Sequence, residues 1–469
     1  MTSPFRLLAL LLAVLPFASA LALGPKPLPP PQDPFYTPPE GFESAEPGTI
    51  LRQRKVHAAL FGGIPDPIET HQLLYRTVAI DGSPIATVTT VFKPLFAKKD
   101  RFVAFATAYD SSAKGCTPSY TYQLGSKQDD LISAAEYIVL QGYVHAGYIV
   151  ASPDYEGPDT AFAAGRLAGM GVLDSMRAVV NFRETLGLEE NARIVGNGYS
   201  GGAIATGWAA SLQPTYAPEL SMSGWSIGGT PANLTSLLNF LDGSIFSGFL
   251  PGAFAGIIQP SAYGGEIKSL LNEALTPYGQ EILQAGLSNC APQNVIKYPY
   301  LSVFSTKVQK YGPELAKNPT FKMVISASVM GVNKTETPTA PVYLYHAKDD
   351  EIIPYDAGET LFKNWCGFGA KVKFDTYEKG GHITTEALAL LQLLKYAEAA
   401  FDGQGPTECS TGTQLDNALN PLALGAGLEP VLTKLLEVLT AAGKKDRYIV
   451  SNVKVLNTPI DAKVQWSRN

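Results

Sequence analysis

The sequence predicts an α/β architecture, a mostly parallel sheet with helices on both faces, and three observations predict it. Short apolar, β-branched runs alternate with helical patterns along most of the chain, as repeated strand–helix–strand units do. One run passes through a glycine-dense turn directly into a helical pattern, at Gly198-Tyr-Ser200-Gly-Gly202. Apolar residues make up 45% of the 469 and charged residues 17%, which fills a large core and is too apolar for a disordered chain. The formal net charge of −6 gives the surface no electrostatic reason to bind nucleic acid or anionic lipid.

In chain order, the first element is a targeting signal. Arg6 precedes an apolar run over 7–15, and Ala18-Ser19-Ala20 supplies the small residues of a cleavage site. The run is too short to span a bilayer, and no later stretch reaches about 18 uninterrupted apolar residues. Residues 1–20 therefore read as the signal peptide of a secreted protein without a transmembrane segment. Residues 21–45 form a proline-rich arm.

Strands are expected at 101–108, 148–152, 192–198, 341–346 and 372–377, with a helix over 171–186 as the right-handed crossover between the second and third. Another helix is expected over 384–401. From Ser200 to Pro341 the chain runs about 140 residues, where one or two strand–helix units need roughly 60 to 70. The excess is rich in Gly, Ala, Leu and Phe, as over 243–258. A cap inserted over the sheet's active edge accounts for it, and so would extra core helices; composition leaves both open. A main domain over 46–410, with an insertion at about 231–335, is then followed by a C-terminal extension, 411–469. Within that extension 428–442 has apolar residues at helical spacing and 448–455 reads as a strand.

Four cysteines, Cys116, Cys290, Cys366 and Cys409, fit an oxidising compartment and allow three pairings. Asn233 and Asn333 open Asn-x-Thr sequons, glycosylation acceptors in a secretory pathway.

The glycine-dense turn carries the chemistry. Gly198-x-Ser200-x-Gly202 lies between an expected strand and an expected helix, the setting of the nucleophile elbow in the α/β-hydrolase fold. That turn is so sharp that flanking side chains must be nearly absent. It lifts the Ser200 hydroxyl above the sheet and aims the next backbone N–H, that of Gly201, at a substrate. Gly196, Gly198 and Gly201 also spell G-x-G-x-x-G, the dinucleotide fingerprint. That reading needs an acid closing a second strand about 20 residues on, and Glu219 sits instead in Tyr216-Ala-Pro-Glu219. It also leaves the downstream acid and histidine without a role.

A serine hydroxyl is a poor nucleophile until a base takes its proton and a carboxylate orients that base. In this fold the chain order is nucleophile, acid, histidine. Of five histidines, His57, His71 and His145 precede Ser200, and His346 lies inside an apolar strand, where a core or strand-end histidine is expected. His382 remains. It sits in Glu378-Lys-Gly-Gly-His382 between a strand and a helix, where a mobile, exposed imidazole belongs.

The acid should end the strand that closes at His346. Ala347, Asp350, Ile353 and Pro354 fit the small-x-x-Asp-x-x-Val/Ile-Pro strand-end pattern and select Asp350, with Asp349 as its rival. The neighbouring acids, Asp349 and Glu351, are then expected as solvated turn carboxylates. A second oxyanion donor belongs in the loop after an earlier strand, which makes the Asp110 backbone N–H the candidate beside that of Gly201. From sequence alone Asp110 is equally a turn-former.

Further stretches extend the pattern: Asp33-Pro-Phe-Tyr-Thr37, Gln53-Arg-Lys-Val56, Gln72-Leu-Leu-Tyr-Arg76, Cys116-Thr-Pro-Ser-Tyr120 and Asp154-Tyr-Glu-Gly157. They continue in Tyr216-Ala-Pro-Glu-Leu220, Gly228-Gly-Thr-Pro231, Asp350-Glu-Ile-Ile-Pro-Tyr355 and His382-Ile-Thr-Thr-Glu386. Together with the elbow, these stretches resemble the fungal secretory lipase family typified by Candida antarctica lipase A. The resemblance implies acyl-ester hydrolysis, chiefly of lipids, by Ser200, Asp350 and His382, with Asp110 and Gly201 as the oxyanion hole. It implies a large, mainly helical lid between the nucleophile helix and the acid strand, and the pairings Cys116–Cys290 and Cys366–Cys409. It implies no calcium or other cofactor, and no metal-ligand cluster is recognisable in the sequence.

The expected protein is a secreted triacylglycerol-type ester hydrolase, a monomer acting on a lipid or ester substrate at a lipid–water interface. A short-chain carboxylesterase, a serine peptidase or an acyltransferase on the same fold are the alternatives, with a non-catalytic lipid-binding protein as the rival of another class. The tail after Cys409 and the cap depart most from the family pattern, so the triad carries over more safely than the substrate.

Overall fold

A computed structural model describes residues 26–415. The expected signal peptide, the helix at 428–442 and the strand at 448–455 lie outside the described residues.

Ten strands form one sheet: β1 Ile50–Val56, β2 Glu69–Val78, β3 Pro84–Lys93, β4 Arg101–Ala106 and β5 Ile149–Pro153, then β6 Arg193–Tyr199, β7 Met222–Gly228, β8 Val342–Ala347, β9 Val372–Tyr377 and β10 Ser410–Gln414. Their spatial order is β1-β2-β3-β5-β4-β6-β7-β8-β9-β10. The pairs β1–β2, β2–β3 and β3–β5 are antiparallel, and every pair from β5 to β10 is parallel. A parallel strand is covered on both faces and so reads apolar throughout. In β4, Phe102 to Ala106 are all buried.

On one face lie α1 Leu131–His145 and α11 His382–Phe401. On the other lie α2 Gly165–Asn181, α3 Gly201–Tyr216 and α10 Tyr355–Phe368, counting from the six intervening helices named below. Trp208, Trp225 and Trp365 are fully buried in the core of this second face. The expected helix at 171–186 begins earlier, at Gly165, and stops at Asn181 before a separate turn, Arg183–Leu186. Its first turns escaped the pattern because they hold glycines. Those glycines let α3 approach: a Cβ on Gly169 would stand 2.7 Å from Trp208.

Between β7 and β8 come six helices: α4 Leu234–Leu241, α5 Leu250–Ile257, α6 Gly264–Ala274, α7 Pro277–Ser288, α8 Ala291–Lys297 and α9 Pro319–Ser326. They share a core of their own, with Leu238, Ile267, Ile282 and Val324, which also takes in Leu167 from the first turn of α2 and Ala161, Ile352 and Ile353 from loops of the sheet domain. The helices therefore form a separate layer on those loops rather than a thickening of the sheet's cores. Two disulfides fasten the chain. Cys116–Cys290 ties the loop after β4 to the start of α8, and Cys366–Cys409 ties α10 to the approach of β10.

Ser410–Gln414 pairs with β9 along its length, so the sheet continues past residue 410, where the extension was expected to begin. No described helix is long and apolar enough to cross a membrane.

Candidate active site

Ser200 sits between the last residue of β6 and the first of α3 with φ 53° and ψ −122°. A non-glycine residue in that region is strained and needs a tightly determined turn. The glycines around it show how tight the turn is. A Cβ on Gly198 would meet the Gly202 carbonyl oxygen at 2.3 Å, and one on Gly202 would meet the Ala106 oxygen at 1.9 Å. The Ser200 N–H donates to the Gly228 carbonyl at 3.0 Å, anchoring the turn to β7.

Three side chains join here. His382 Nε2 lies 2.8 Å from Ser200 Oγ, and His382 Nδ1 lies 2.7 Å from Asp350 Oδ2. Asp350 Oδ1 accepts from the Ile352 N–H at 3.0 Å and the Ile353 N–H at 2.7 Å. Burial alone would push the Asp350 carboxyl up, but the charge of His382 and the hydrogen bonds from His346 and His382 hold it well below the usual carboxylate range. Burial likewise works against a charged His382. The Asp350 charge and hydrogen bond, with Glu351 and Glu386 behind them, outweigh it and raise the imidazole.

His382 departs from the expectation of a mobile, exposed loop residue. It is the first residue of α11, 4% exposed. The Tyr199 hydroxyl donates to its carbonyl at 2.6 Å, and the Tyr199 ring lies 4.9 Å from the imidazole. Glu351, expected as a solvated carboxylate, instead accepts the His382 backbone N–H at 2.8 Å and so fixes the helix start. Asp349 is exposed. His346 is buried at the end of β8, and its Nε2 lies 3.2 Å from Asp350 Oδ2.

Asp110 and Gly201 line one cavity with Ser200. Asp110 takes a left-handed φ of 47°, which strains a non-glycine residue. Its carboxyl rests against Gly201, where a Cβ would fall 1.6 Å from Asp110 Oδ1. That oxygen is buried with no hydrogen-bond partner. Burial pushes the Asp110 carboxyl up to about 7, opposed by His382 and reinforced by Glu386. Glu136 and Glu386 are both buried as well, and burial raises both carboxyls, with the charge of Glu386 adding to the rise at Glu136.

From Ser200 the cavity runs into the helical layer and is almost wholly apolar, walled by Leu234, Leu238 and Leu241 of α4, Leu250 and Phe254 of α5, and Val324 of α9. The layer is docked firmly beside it. Ser112 Oγ donates to the Gly252 carbonyl at 2.8 Å, and the Ala291 N–H donates to Ser111 Oγ at 2.8 Å. A Cβ on Gly256 would fall 2.2 Å from the Phe162 oxygen, so α5 lies directly on the Phe162 loop. Among the described residues no group of three His, Cys, Asp or Glu is placed to hold a metal ion.

The family model for secretory lipases matches residues 122–409, which include the elbow, Asp350 and His382. The chain belongs to the secretory lipase family. A secreted triacylglycerol lipase, LIP1, of Malassezia furfur is 40% identical over 87% of this chain and 83% of its own. Another, LIP3 of Malassezia restricta, is 38% identical over 96% and 97%. Candida antarctica lipase A in its closed state is 30% identical and matches with a TM-score of 0.78 over 87% of this chain and 96% of that one. The rice cell wall degrading esterase LipA of Xanthomonas oryzae, 14% identical with a TM-score of 0.54, shares the fold alone.

Within this secretory lipase, sequence reasoning missed Tyr199, Glu351 and Glu386 as neighbours of the imidazole. Glu386 stood in His382-Ile-Thr-Thr-Glu386, one helical turn beyond His382, so the signal was the i, i+4 spacing on a helix. For Tyr199 and Glu351 no sequence signal exists, because both reach His382 through space. The dinucleotide reading fails at its acid: Glu219 is spent on an ion pair with Arg177 at 2.6 Å.

Proposed function

We propose that this secretory lipase hydrolyses the acyl esters of triacylglycerols outside the cell, through an acyl-enzyme on Ser200. One observation carries the reading: the unbroken line from Ser200 Oγ through His382 to Asp350 opens into an apolar cavity. Ser200 Oγ attacks the ester carbonyl while His382 Nε2 takes its proton. The oxyanion is held by the Gly201 and Asp110 N–H groups. When the tetrahedral species collapses, the leaving alcohol takes the proton back from Nε2. Water then repeats the sequence on the acyl-enzyme and releases the fatty acid. Asp350 fixes the imidazole with Nε2 toward the serine and stabilises the cation that forms.

The helical layer acts as the cap. Its leucine- and phenylalanine-lined cavity suits an alkyl chain and offers almost nothing to hold a peptide, which favours lipid over the peptidase reading. Phe240, Ile296, Tyr300 and Met323 stand exposed on its outer helices and loops, apolar contacts for a lipid–water interface. In domain terms the reading is a signal peptide at 1–20, an arm at 21–45, the hydrolase domain with its cap at about 231–335, and an extension beyond the last strand. Of the two sequons, Asn333 is exposed, whereas Asn233 is half-buried and caps α4 through its side-chain oxygen; Asn333 is the better glycan acceptor.

A series of p-nitrophenyl esters and emulsified triacylglycerols of rising chain length, wild type beside Ser200→Ala, tests the reading. The expected result is activity on long-chain emulsions that falls by about 10⁴-fold or more in the variant. Activity confined to short soluble esters would recast the protein as a carboxylesterase. Hydrolysis surviving in Ser200→Ala would remove the triad assignment itself.

A further inference from the structure

His346 was expected as a core histidine. Its contacts give it a second part, which rests on the triad reading above. The imidazole lies wholly buried at the end of β8. Its Nε2 is 3.2 Å from the Ile353 carbonyl and 3.2 Å from Asp350 Oδ2. A carbonyl oxygen accepts only, as does an ionised carboxylate, so Nε2 must carry the proton. On the far side, Nδ1 has no hydrogen-bond partner. It is packed against Gly358, where a Cβ would stand 2.7 Å from Nδ1, and the Tyr355 ring stands edge-on at 5.7 Å. An imidazole held so tightly, with one nitrogen left dry, is a poor choice for filling space: an apolar side chain would leave nothing unsatisfied.

We propose that His346 is a positioning residue of the triad, a second imidazole donor that fixes Asp350 and limits how strongly this carboxylate holds His382. Counting donors shows the effect. Oδ2 takes His382 Nδ1–H and shares the His346 Nε2–H with the Ile353 carbonyl, and Oδ1 takes the Ile352 and Ile353 N–H groups. A carboxylate has about four such sites, so Asp350 is saturated and cannot turn. Each added donor lowers its proton affinity, and a less basic carboxylate stabilises the imidazolium less. His346 thus opposes the rise that Asp350, Glu351 and Glu386 impose on His382. The other titratable groups facing these side chains are Asp110, toward His382, and Tyr199, toward Asp350.

Two variants and one spectrum test this in the full-length enzyme. His346→Leu removes the donor, while His346→Gln restores an N–H at similar reach. In His346→Leu the acid limb of kcat/KM should move to higher pH by about half a unit to one unit, and kcat should fall roughly tenfold with KM within about twofold. In His346→Gln the limb should return to within about 0.3 unit of wild type. A folded His346→Leu enzyme with the wild-type limb would reduce His346 to packing. Imidazole ¹⁵N NMR of the wild type needs no variant, because it reads the tautomer of the neutral ring: the proton on Nε2 with Nδ1 bare supports the proposal, and the proton on Nδ1 with Nε2 bare overturns it. Failure of the triad reading is separable, since only that failure leaves Ser200→Ala active.

Discussion

An ideal Cβ on Gly202 would stand 1.9 Å from the Ala106 carbonyl oxygen, a backbone atom that cannot move without dragging β4. Gly202→Ala should therefore shift the start of α3, displace Ser200 and the Gly201 N–H together, and lower kcat by about 100-fold or more. Gly115, whose added Cβ would meet nothing within 4 Å, is the matched control; Gly115→Ala should stay within about twofold. Equal losses in the two variants, measured by kcat and thermal melting, would contradict this account of the elbow. The same close approaches explain why Ser200 was legible in sequence: the turn tolerates so few residues that it leaves a pattern. His382 was found by elimination among five histidines, and Asp350 by its place after a strand. The surroundings of His382 were not legible. Its burial comes from Tyr199 above the ring and Glu351 on its N–H, contacts between residues 183 and 31 positions apart for which no local pattern exists.

Elements followed the same division. β9 was read at its observed bounds, and β4 to β6 and β8 within two residues, because parallel strands buried on both faces form continuous apolar runs. The antiparallel β1, β2 and β3 were not placed. In β1, exposed and half-buried positions are mixed, with Arg52, Gln53, Arg54 and Lys55 in succession, which masks the alternation of a half-buried strand. β10, Ser-Thr-Gly-Thr-Gln, has no apolar residue at all and is held by its pairing with β9. From composition the helical layer between β7 and β8 was visible only as excess length, and its reading as a lid came from the family resemblance. What decides its placement is non-local: the Cys116–Cys290 link joins positions 174 apart, and Gly252, Gly256 and Gly286 let α5 lie against backbone on both sides. That link joins the helical layer to the same loop that carries Asp110.

At the scale of the whole molecule, buried carboxyls dominate the pH response. Burial pushes Asp110, Asp130 and Asp154 up to about 7. A group whose folded value is raised stabilises the fold fully below its unfolded value and loses that contribution as pH rises through the folded one. His382, also raised, acts in the same direction. Glu69 and Asp100, held down to about 2 by His71 and Arg101 respectively, lose their contributions only in strong acid. The melting temperature should therefore be higher at pH 5 than at pH 8.5 by about 2–5 °C; the reverse order would contradict the burial of these groups. The same molecule closes an apolar cavity over a single activated serine, and that is the central claim. It is tested most directly by reaction with a fluorophosphonate probe, followed by peptide mapping. The account predicts one adduct per chain, on Ser200, absent from His382→Ala under the same conditions. An adduct on another serine, or equal labelling in the two proteins, would contradict it.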